Sequence, residues 1–276
     1  MDDRAPHLIH VSGLRGGGKS TLVRHVLRDY PGVLHVCPPL PDPDQRAALA
    51  RRLGTALSST GDETAIEDTL PLPHDADWSE IFQDVLRRAS RTERPFVLFL
   101  DDAHRLTEAR SRFVEPMQAT MREAASTGVA LHVVLAGPGG GLPDVGAKAV
   151  EGISHTGITV GPLPFRPASA LLPGRTPSGI VRAYGVFGGI PAVLRRLDRD
   201  VTVGTNVRRL LLSPEGGLID AGARWVEGDL QSPSRYFAIL RTLAKGEADW
   251  GTVHEGVSDL TRSGQVAPYL SRLEEL

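Results

Sequence analysis

The chain has 276 residues, of which 41% are hydrophobic and 23% are charged, and these fractions are typical of a folded globular protein. Its formal net charge of −2 provides no overall attraction for nucleic acid or an anionic membrane, which leaves only a local basic surface open. The single cysteine, Cys37, excludes an internal disulfide. The start "MDDRAPHLIH" lacks the basic and apolar regions of a signal peptide, and no stretch approaches the roughly 18 apolar residues of a membrane span. We therefore expect a cytoplasmic protein with no membrane partner.

The first half of the chain alternates short apolar runs with amphipathic segments. Strands are predicted at 7–12, 32–36, 96–102, 128–137 and 157–163, and helices at 19–27, 45–57, 79–88 and 112–125. The run "FVLFLDD" at 96–102 is typical of a central parallel strand that is buried on both faces. In the helix at 19–27, the spacing of Leu22, Val23, Val26 and Leu27 predicts an apolar face. The alternation predicts an α/β fold with a doubly wound parallel sheet.

After about residue 175 the strand patterns stop and only helical patterns follow. Helices are predicted at 180–187, 191–196, 206–212, 218–226, 235–245, 252–260 and 266–276. We therefore expect three domains: an α/β nucleotide-binding domain over 1–170, an all-α arm over 171–230 and a small trihelical module over 231–276.

A phosphate-binding loop is indicated by "GLRGGGKST" at 13–21, which matches the pattern G-x-x-x-x-G-K-[ST]. Glycines let successive backbone N–H groups point at a phosphate, and the following helix N-terminus favours an anion. Lys19 would contact the β and γ oxygens, and the Ser20 hydroxyl would bind Mg²⁺. The residues expected to bind the nucleotide here are Gly13, Arg15, Gly16, Gly17, Gly18, Lys19, Ser20 and Thr21.

The acids at the end of "FVLFLDD" would complete such a site. Asp101 is placed to hold Mg²⁺ through water, and Asp102 to orient or deprotonate the attacking water. The catalytic residues are thus expected to be Lys19, Asp101 and Asp102, and the metal ligands Ser20 and Asp101. Alternatively, the paired acids only cap the next helix. Asp102 is one methylene shorter than a glutamate, so slow turnover with intact binding is expected.

Two further positions bear on hydrolysis. The strand that ends "LAGPGGG" has Gly137 and Pro138 where related ATPases often carry a polar sensor of the γ-phosphate. Neither residue offers a side-chain donor, which also argues against fast hydrolysis. His104 is either a phosphate-facing sensor or a solvated helix residue.

The segment "YGVFGGIPAVLRRLD" at 184–198 makes the pattern more specific. With the loop, "FLDDAHRL" and "GPLPFRPA", it resembles the prokaryotic, predominantly archaeal, P-loop ATPase family of the AAA+/STAND-like class, over nearly the whole chain. In that family a Gly-Gly-Ile-Pro segment lies in a helical arm and is followed by a winged-helix module. The resemblance implies that ATP is clamped between the loop and the arm, with Gly189 and Pro191 near the base or ribose.

Three departures from the family pattern stand out. Asp102 replaces the usual glutamate, and "LAGPGGG" replaces a serine-bearing "TGSS"-like segment. The chain also ends at Leu276, after the third helix of the implied winged helix, so we expect either a shortened natural form of that module or a truncated chain.

The sequence supports two classes of function. The first is an ATP-binding protein and slow Mg²⁺-dependent ATPase that acts as a conformational switch, alone, as a homo-oligomer or with a protein partner. The second is a nucleotide-binding scaffold with negligible hydrolysis. An arginine from a neighbouring subunit could complete the site, and Arg105, Arg110, Arg112 and Arg166 are unranked candidates.

A DNA-binding regulator that uses the C-terminal module is a further alternative. Its last predicted helix, "GQVAPYLSRLEEL", contains a single arginine, Arg272, and ends with Glu274 and Glu275. Phosphate contacts need clustered basic residues, so the charge of this helix does not favour nucleic acid as a partner. Leu270, Leu273 and Leu276 are predicted to pack instead.

Overall fold

The computed structural model describes residues 5–56, 72–73, 75–138, 153–230, 232–246, 248–257, 260 and 262–274. It contains two compact units. The first comprises Met1–Ser12 and Gly18–Val160, and the second comprises Gly13–Gly17 and Gly161–Leu276. In these described ranges, no helix is both long and apolar enough to cross a membrane.

The first unit alternates strands and helices along the chain. Its elements are β1 (His7–Gly13, whose last residue belongs to the second unit), α1 (Lys19–Val26), β2 (Gly32–Val36), α2 (Asp42–Ala56), α3 (Trp78–Ala89), β3 (Phe96–Asp101), α4 (His104–Glu108), α5 (Val114–Thr127), β4 (Leu131–Gly137) and β5 (Ser154–Val160). The strands form one sheet in the order β2-β3-β4-β1-β5. The predicted strands and helices of this half are all present, and α4 is an additional short helix.

The sheet is parallel, as predicted. β2 pairs with β3, β3 with β4, and β4 with β1, all in parallel register. β5 lies beside β1, where Ser154 N donates to Pro6 O and the Ser12 and Thr159 hydroxyls are hydrogen-bonded at 3.3 Å. Both contacts advance in the same chain direction, so β5 also runs parallel to β1.

Helices cover both faces of this sheet, because alternate residues of the central strand point to opposite sides. All six residues of β3 are buried. Val97 and Phe99 pack with Val23 of α1 on one face. On the other face, Leu98 and Leu100 pack in a larger cluster that includes residues of α2, α3 and α5. The doubly wound arrangement therefore follows from an apolar central strand.

The predicted apolar face of α1 is partly wrong. Val23 is buried and Leu27, just beyond the helix, packs against the core. Leu22 is 44% exposed and Val26 is 53% exposed. With only eight residues, α1 reaches the sheet along a narrow stripe, so the flanking apolar residues remain at the surface.

A buried ion pair joins α3 to α2. The Asp84 carboxylate is fully buried and accepts from Arg88 Nε at 2.6 Å, while Arg88 Nη1 donates to the Leu53 carbonyl of α2 at 3.1 Å. Arg87 also contacts Asp84, but its side chain is 52% exposed. Removing Asp84 would therefore leave the buried Arg88 guanidinium without its counter-charge.

The second unit has five helices before its terminal module: α6 (Phe165–Ser169), α7 (Pro177–Phe187), α8 (Pro191–Leu194), α9 (Val203–Leu211) and α10 (Ala221–Asp229). Helices α7 to α10 lie in the predicted arm, and α6 precedes it. The core that α6 to α9 share contains Leu172, Ala183, Phe187, Leu194 and Leu210, among others. The fully buried Asn206 side chain bonds both the N–H and the carbonyl of Asp198, which fixes the turn between α8 and α9.

Three helices follow the arm: α11 (Pro233–Leu243), α12 (Trp250–Glu255) and α13 (Ala267–Glu274). Ile239, Val253 and Val266 form their core, and Leu270 and Leu273 of α13 pack against it as predicted. Leu276 lies outside the described residues. Tyr236 of α11 also packs in a small cluster with α10, so the module continues the arm.

We predict that Asp84→Ala lowers the free energy of unfolding by about 3 kcal/mol or more, because an uncompensated buried charge costs about 3–5 kcal/mol. Arg87→Ala is the matched control, since it removes the exposed partner of the same carboxylate and should cost less than about 1 kcal/mol. Urea unfolding of both variants, followed by circular dichroism, measures the difference. An equal loss of unfolding free energy in the two variants would contradict the stabilising role of the buried Asp84–Arg88 pair.

Candidate nucleotide-binding site

The loop at 13–18 has the backbone that its glycines predict. Gly13, Gly16 and Gly18 have positive φ angles of 141°, 79° and 103°. Gly17 N donates to the Leu14 carbonyl at 3.0 Å, which closes a turn before α1 begins at Lys19. Residues with a Cβ rarely adopt these angles, so the glycines are required by the loop itself.

The first turn of α1 is suited to an anion. The cap residue Gly18 is left-handed and supplies no side-chain acceptor to the helix N-terminus, and the first turn contains no acid. Its backbone N–H groups and the positive end of the helix dipole can therefore serve a phosphate. Lys19 is only 8% exposed. Ser20 is half-buried, and Arg15 and Thr21 are exposed.

The two acids lie at the carboxyl end of β3. Asp101 is 5% exposed, and its carboxylate accepts the N–H of Asp102 at 3.1 Å. Asp102 itself has a φ of 54°, in the left-handed region that aspartate tolerates better than most residues. The Asp102 carboxylate lies 3.7 Å from Arg105 Nε of α4, and the two side chains are 32% and 18% exposed. Asp102 is therefore partly solvated and held near a cation.

β4 lies between β1 and β3 in the sheet, so its end lies between Ser12 of β1 and the acids of β3. Ser12, just before the loop, is in register with Gly137, and Ala103 N donates to the Ala136 carbonyl at 2.8 Å. Gly137 and Pro138, which follow, have no side-chain donor. Within the described residues, this strand end contributes only backbone to the site.

His104 is 8% exposed, so the prediction of a solvated helix residue is wrong. It begins α4, a single short turn that directly follows the acids and packs against the sheet with Ala103 and Leu106. The chain returns into the core at once after Asp102, and that return buries His104.

Cys37 is a residue of this edge that the sequence pattern alone did not single out. It follows β2, is 1% exposed, and donates its N–H to the Asp101 carbonyl at 2.9 Å. Burial, and then the charges of Asp102 and Asp101, raise the pKa of the Cys37 thiol to about 12. Its position immediately after a predicted strand was the available signal, since parallel strands end at one edge.

In the second unit, the structure brings the first half of the loop together with the arm. Ala192 N donates to the Gly16 carbonyl at 3.2 Å. A Cβ on Gly16 would lie 2.7 Å from Ala192 Cβ and 3.7 Å from Ile190 Cγ2. The family resemblance implied Gly189 and Pro191 as nucleotide contacts but did not single out Ala192, because a short apolar side chain beside a proline carries no chemical signal.

Gly189 has a clear structural requirement. Its carbonyl accepts from Leu163 N at 2.8 Å, and a Cβ on Gly189 would lie 2.0 Å from the Leu163 carbonyl oxygen. Pro191 occupies the first position of α8, where a missing N–H costs nothing. These contacts fix the turn that presents Ala192 to Gly16.

We predict that native Cys37 resists alkylation by iodoacetamide at pH 8, because a thiol with a pKa of about 12 is almost entirely protonated there. Unfolding in urea should restore ordinary reactivity. Mass spectrometry of the alkylated chain measures both. Rapid labelling of the folded protein would contradict the burial of this residue beside the acids.

Comparison with known proteins agrees with this geometry. Residues 1–135 match the model of the AAA ATPase domain. The chain is similar to a solved Walker-type ATPase of Pyrococcus abyssi, with 21% identity, a TM-score of 0.61, and coverage of 98% of this chain and 84% of that one. It is also similar to the ORC2 protein of Aeropyrum pernix, solved as ADPNP–ADP complexes, with 14% identity, a TM-score of 0.53, and coverage of 98% and 80%. No curated protein sequence matches significantly. Residues 1–135 are thus similar to the AAA ATPase domain, and the chain has the α/β P-loop fold of the solved Walker-type ATPase.

Proposed function

We propose that this protein binds ATP with Mg²⁺, hydrolyses it slowly, and acts as a conformational switch. The observation that carries the proposal is the hydrogen bond from Ala192 N to the Gly16 carbonyl. It joins the arm to the half of the loop that would contact the phosphates. A ligand that alters this loop would therefore act directly on the arm.

The described residues have the chemistry to hold a nucleotide phosphate. The positive-φ glycines and the first turn of α1 provide inward N–H donors, and Lys19 provides a cation. Ser20 and the buried Asp101 carboxylate are oxygen ligands of the kind Mg²⁺ prefers. Gly189 and Pro191 are proposed to contact the base or ribose. ATP is favoured over GTP because no [NT]KxD-type guanine-reading segment is present in the sequence.

Two features support slow hydrolysis. Asp102 would accept a proton from the attacking water, but its side chain is short and lies near Arg105. Gly137 and Pro138 provide no side chain to contact the γ-phosphate. The same two features favour the second candidate, a scaffold that binds ATP with negligible turnover.

The proposed moving parts are the arm, residues 171–230, and the trihelical module, residues 231–276, which we propose to be winged-helix-like. The α/β domain over 1–170 would bind the nucleotide. A homo-oligomer or a protein partner would respond to the position of the arm, as switches of this type commonly require.

We expect Lys19→Ala to weaken ATP binding by about 10- to 100-fold, because a hydrogen bond between charged groups contributes about 1.5–3 kcal/mol. Titration calorimetry with ATP or GTP and Mg²⁺, together with phosphate release, gives binding and turnover for both forms. ATP hydrolysis that disappears with Lys19 supports the ATPase. Tight binding without turnover supports the scaffold. The absence of both ATP binding and ATP hydrolysis would refute both candidate functions.

We expect Asp102→Glu to raise hydrolysis by about tenfold or more, because a longer carboxylate reaches farther toward the water, and a well-placed base contributes about 10²–10⁴. The left-handed backbone at 102 should cost this variant about 1–2 kcal/mol of stability. Asp102→Asn, which tolerates the same backbone, is the control and should bind ATP without turnover. Unchanged turnover in both variants would exclude Asp102 as the base.

We expect Gly16→Ala to weaken ATP binding by about tenfold, because the new Cβ would meet Ala192 Cβ at 2.7 Å. Gly128→Ala is the matched control, since Gly128 has a similar φ of 69° but nothing within 4 Å of its added Cβ. It should leave ATP affinity unchanged.

The double variant Gly16→Ala/Ala192→Gly tests the contact itself. Removing the Ala192 Cβ should restore part of the affinity, because only the backbone strain at Gly16 remains. The three affinities are measured by titration calorimetry. Affinity that does not recover in the double variant would show that the loop, and not its contact with the arm, causes the loss.

A further inference from the structure

Charge is strongly segregated along this chain. Residues 161–212 contain eight arginines, two aspartates and no lysine or glutamate, so this segment has a net charge of +6. Since the whole chain is −2, the remainder has a net charge of −8. The near-neutral total therefore hides a basic segment.

Five of these arginines line two neighbouring clefts. The first cleft, about 110 Å³, is lined by Arg175, Arg195 and Arg199 and by apolar walls that include Leu171 and Leu194. The second, about 500 Å³, is lined by Arg196 and Arg209, with Glu215 as its only acid. Arg195 lines the first cleft, and Arg196, the next residue in the chain, lines the second.

The five arginines divide into two groups by their contacts. Arg175 donates to the Asp198 carbonyl at 2.6 Å and Arg209 to the Arg196 carbonyl at 2.9 Å, so both are held in place by the backbone. Arg196 is held in the same way, since it donates to the Gly216 carbonyl. The Arg195 and Arg199 side chains are exposed. In the described part of the chain, no carboxylate lies within ion-pair distance of any of the eight arginines.

Such uncompensated charge destabilises a fold by self-repulsion unless an anion offsets it. The guanidinium group matches phosphate geometry because it can donate two parallel hydrogen bonds. The smaller cleft exceeds the roughly 30 Å³ that one water occupies, so it can admit a phosphate group. Two basic clefts lined by consecutive arginines fit a ligand with successive phosphates better than a single small anion.

We propose that the clefts on either side of Arg195 and Arg196 bind the phosphodiester backbone of a nucleic acid, without sequence preference. Arg195 and Arg199 contact phosphate directly, and Arg175 and Arg209 contribute fixed positive charge. This site lies on the arm and uses neither the phosphate loop nor the terminal module. It is independent of the proposed ATPase activity.

Fluorescence anisotropy of the full chain with a labelled duplex DNA and with its single strand tests the proposal. Arg195→Ala/Arg199→Ala should weaken binding about tenfold or more. It should also reduce the slope of log K against log salt, measured from roughly 50 to 200 mM, by about 2 for the duplex, because each phosphate contact contributes about 0.9. The matched control is Arg51→Ala/Arg122→Ala, which removes the same charge from exposed positions of α2 and α5. It should leave the slope unchanged.

Several outcomes would overturn the proposal. These are no binding of either DNA at about 50 mM salt, an equal loss in the control variant, or displacement of DNA by inorganic phosphate at constant ionic strength, which would indicate a small-anion site. Lys19→Ala separates the two functions, since it should weaken ATP binding about 10- to 100-fold and leave DNA binding intact. Thermal unfolding of each variant confirms that these surface changes leave the fold stable.

Discussion

The parallel direction of the five strands is the constraint on which the candidate site depends. Parallel strands place all their carboxyl ends at one edge of the sheet, so residues far apart in sequence become neighbours there. In this protein, the parallel direction places Cys37, the acids at the end of β3, and Gly137 at the same edge of the sheet. The central position of β4 then puts a strand end without a side-chain donor between Ser12 and the acids.

The acid pair shows how backbone and chemistry are connected at this edge. Asp102 occupies a left-handed conformation because the chain turns sharply from β3 into the short helix α4. Aspartate accommodates such a turn more easily than glutamate does. The residue with the shorter reach toward the water is thus also the one that the backbone favours. A switch that must hold its nucleotide for long periods would gain from the same substitution.

The arm combines two separate physical roles. Through Gly189, Pro191 and Ala192 it presents a backbone donor to the loop, and this contact requires close packing without a side chain at Gly16. Through its arginines it presents a basic surface. The rest of the sequence is acidic, but within the described residues none of its carboxylates forms an ion pair with these arginines. If both proposals hold, the same short segment around α8 would connect nucleotide state with a polyanion.

The sequence by itself determined the secondary-structure elements, because apolar periodicity and glycine placement are local properties. It therefore predicted the parallel sheet, the phosphate loop at 13–18, the strand-end acids and the change to helices after about residue 175. Whether side chains far apart in sequence meet is not a local property. Only the tertiary structure placed Cys37 beside Asp101, buried His104, exposed Leu22 and Val26, and joined Ala192 to Gly16. Those outcomes depend on which helix reaches which surface, and packing between distant segments decides that.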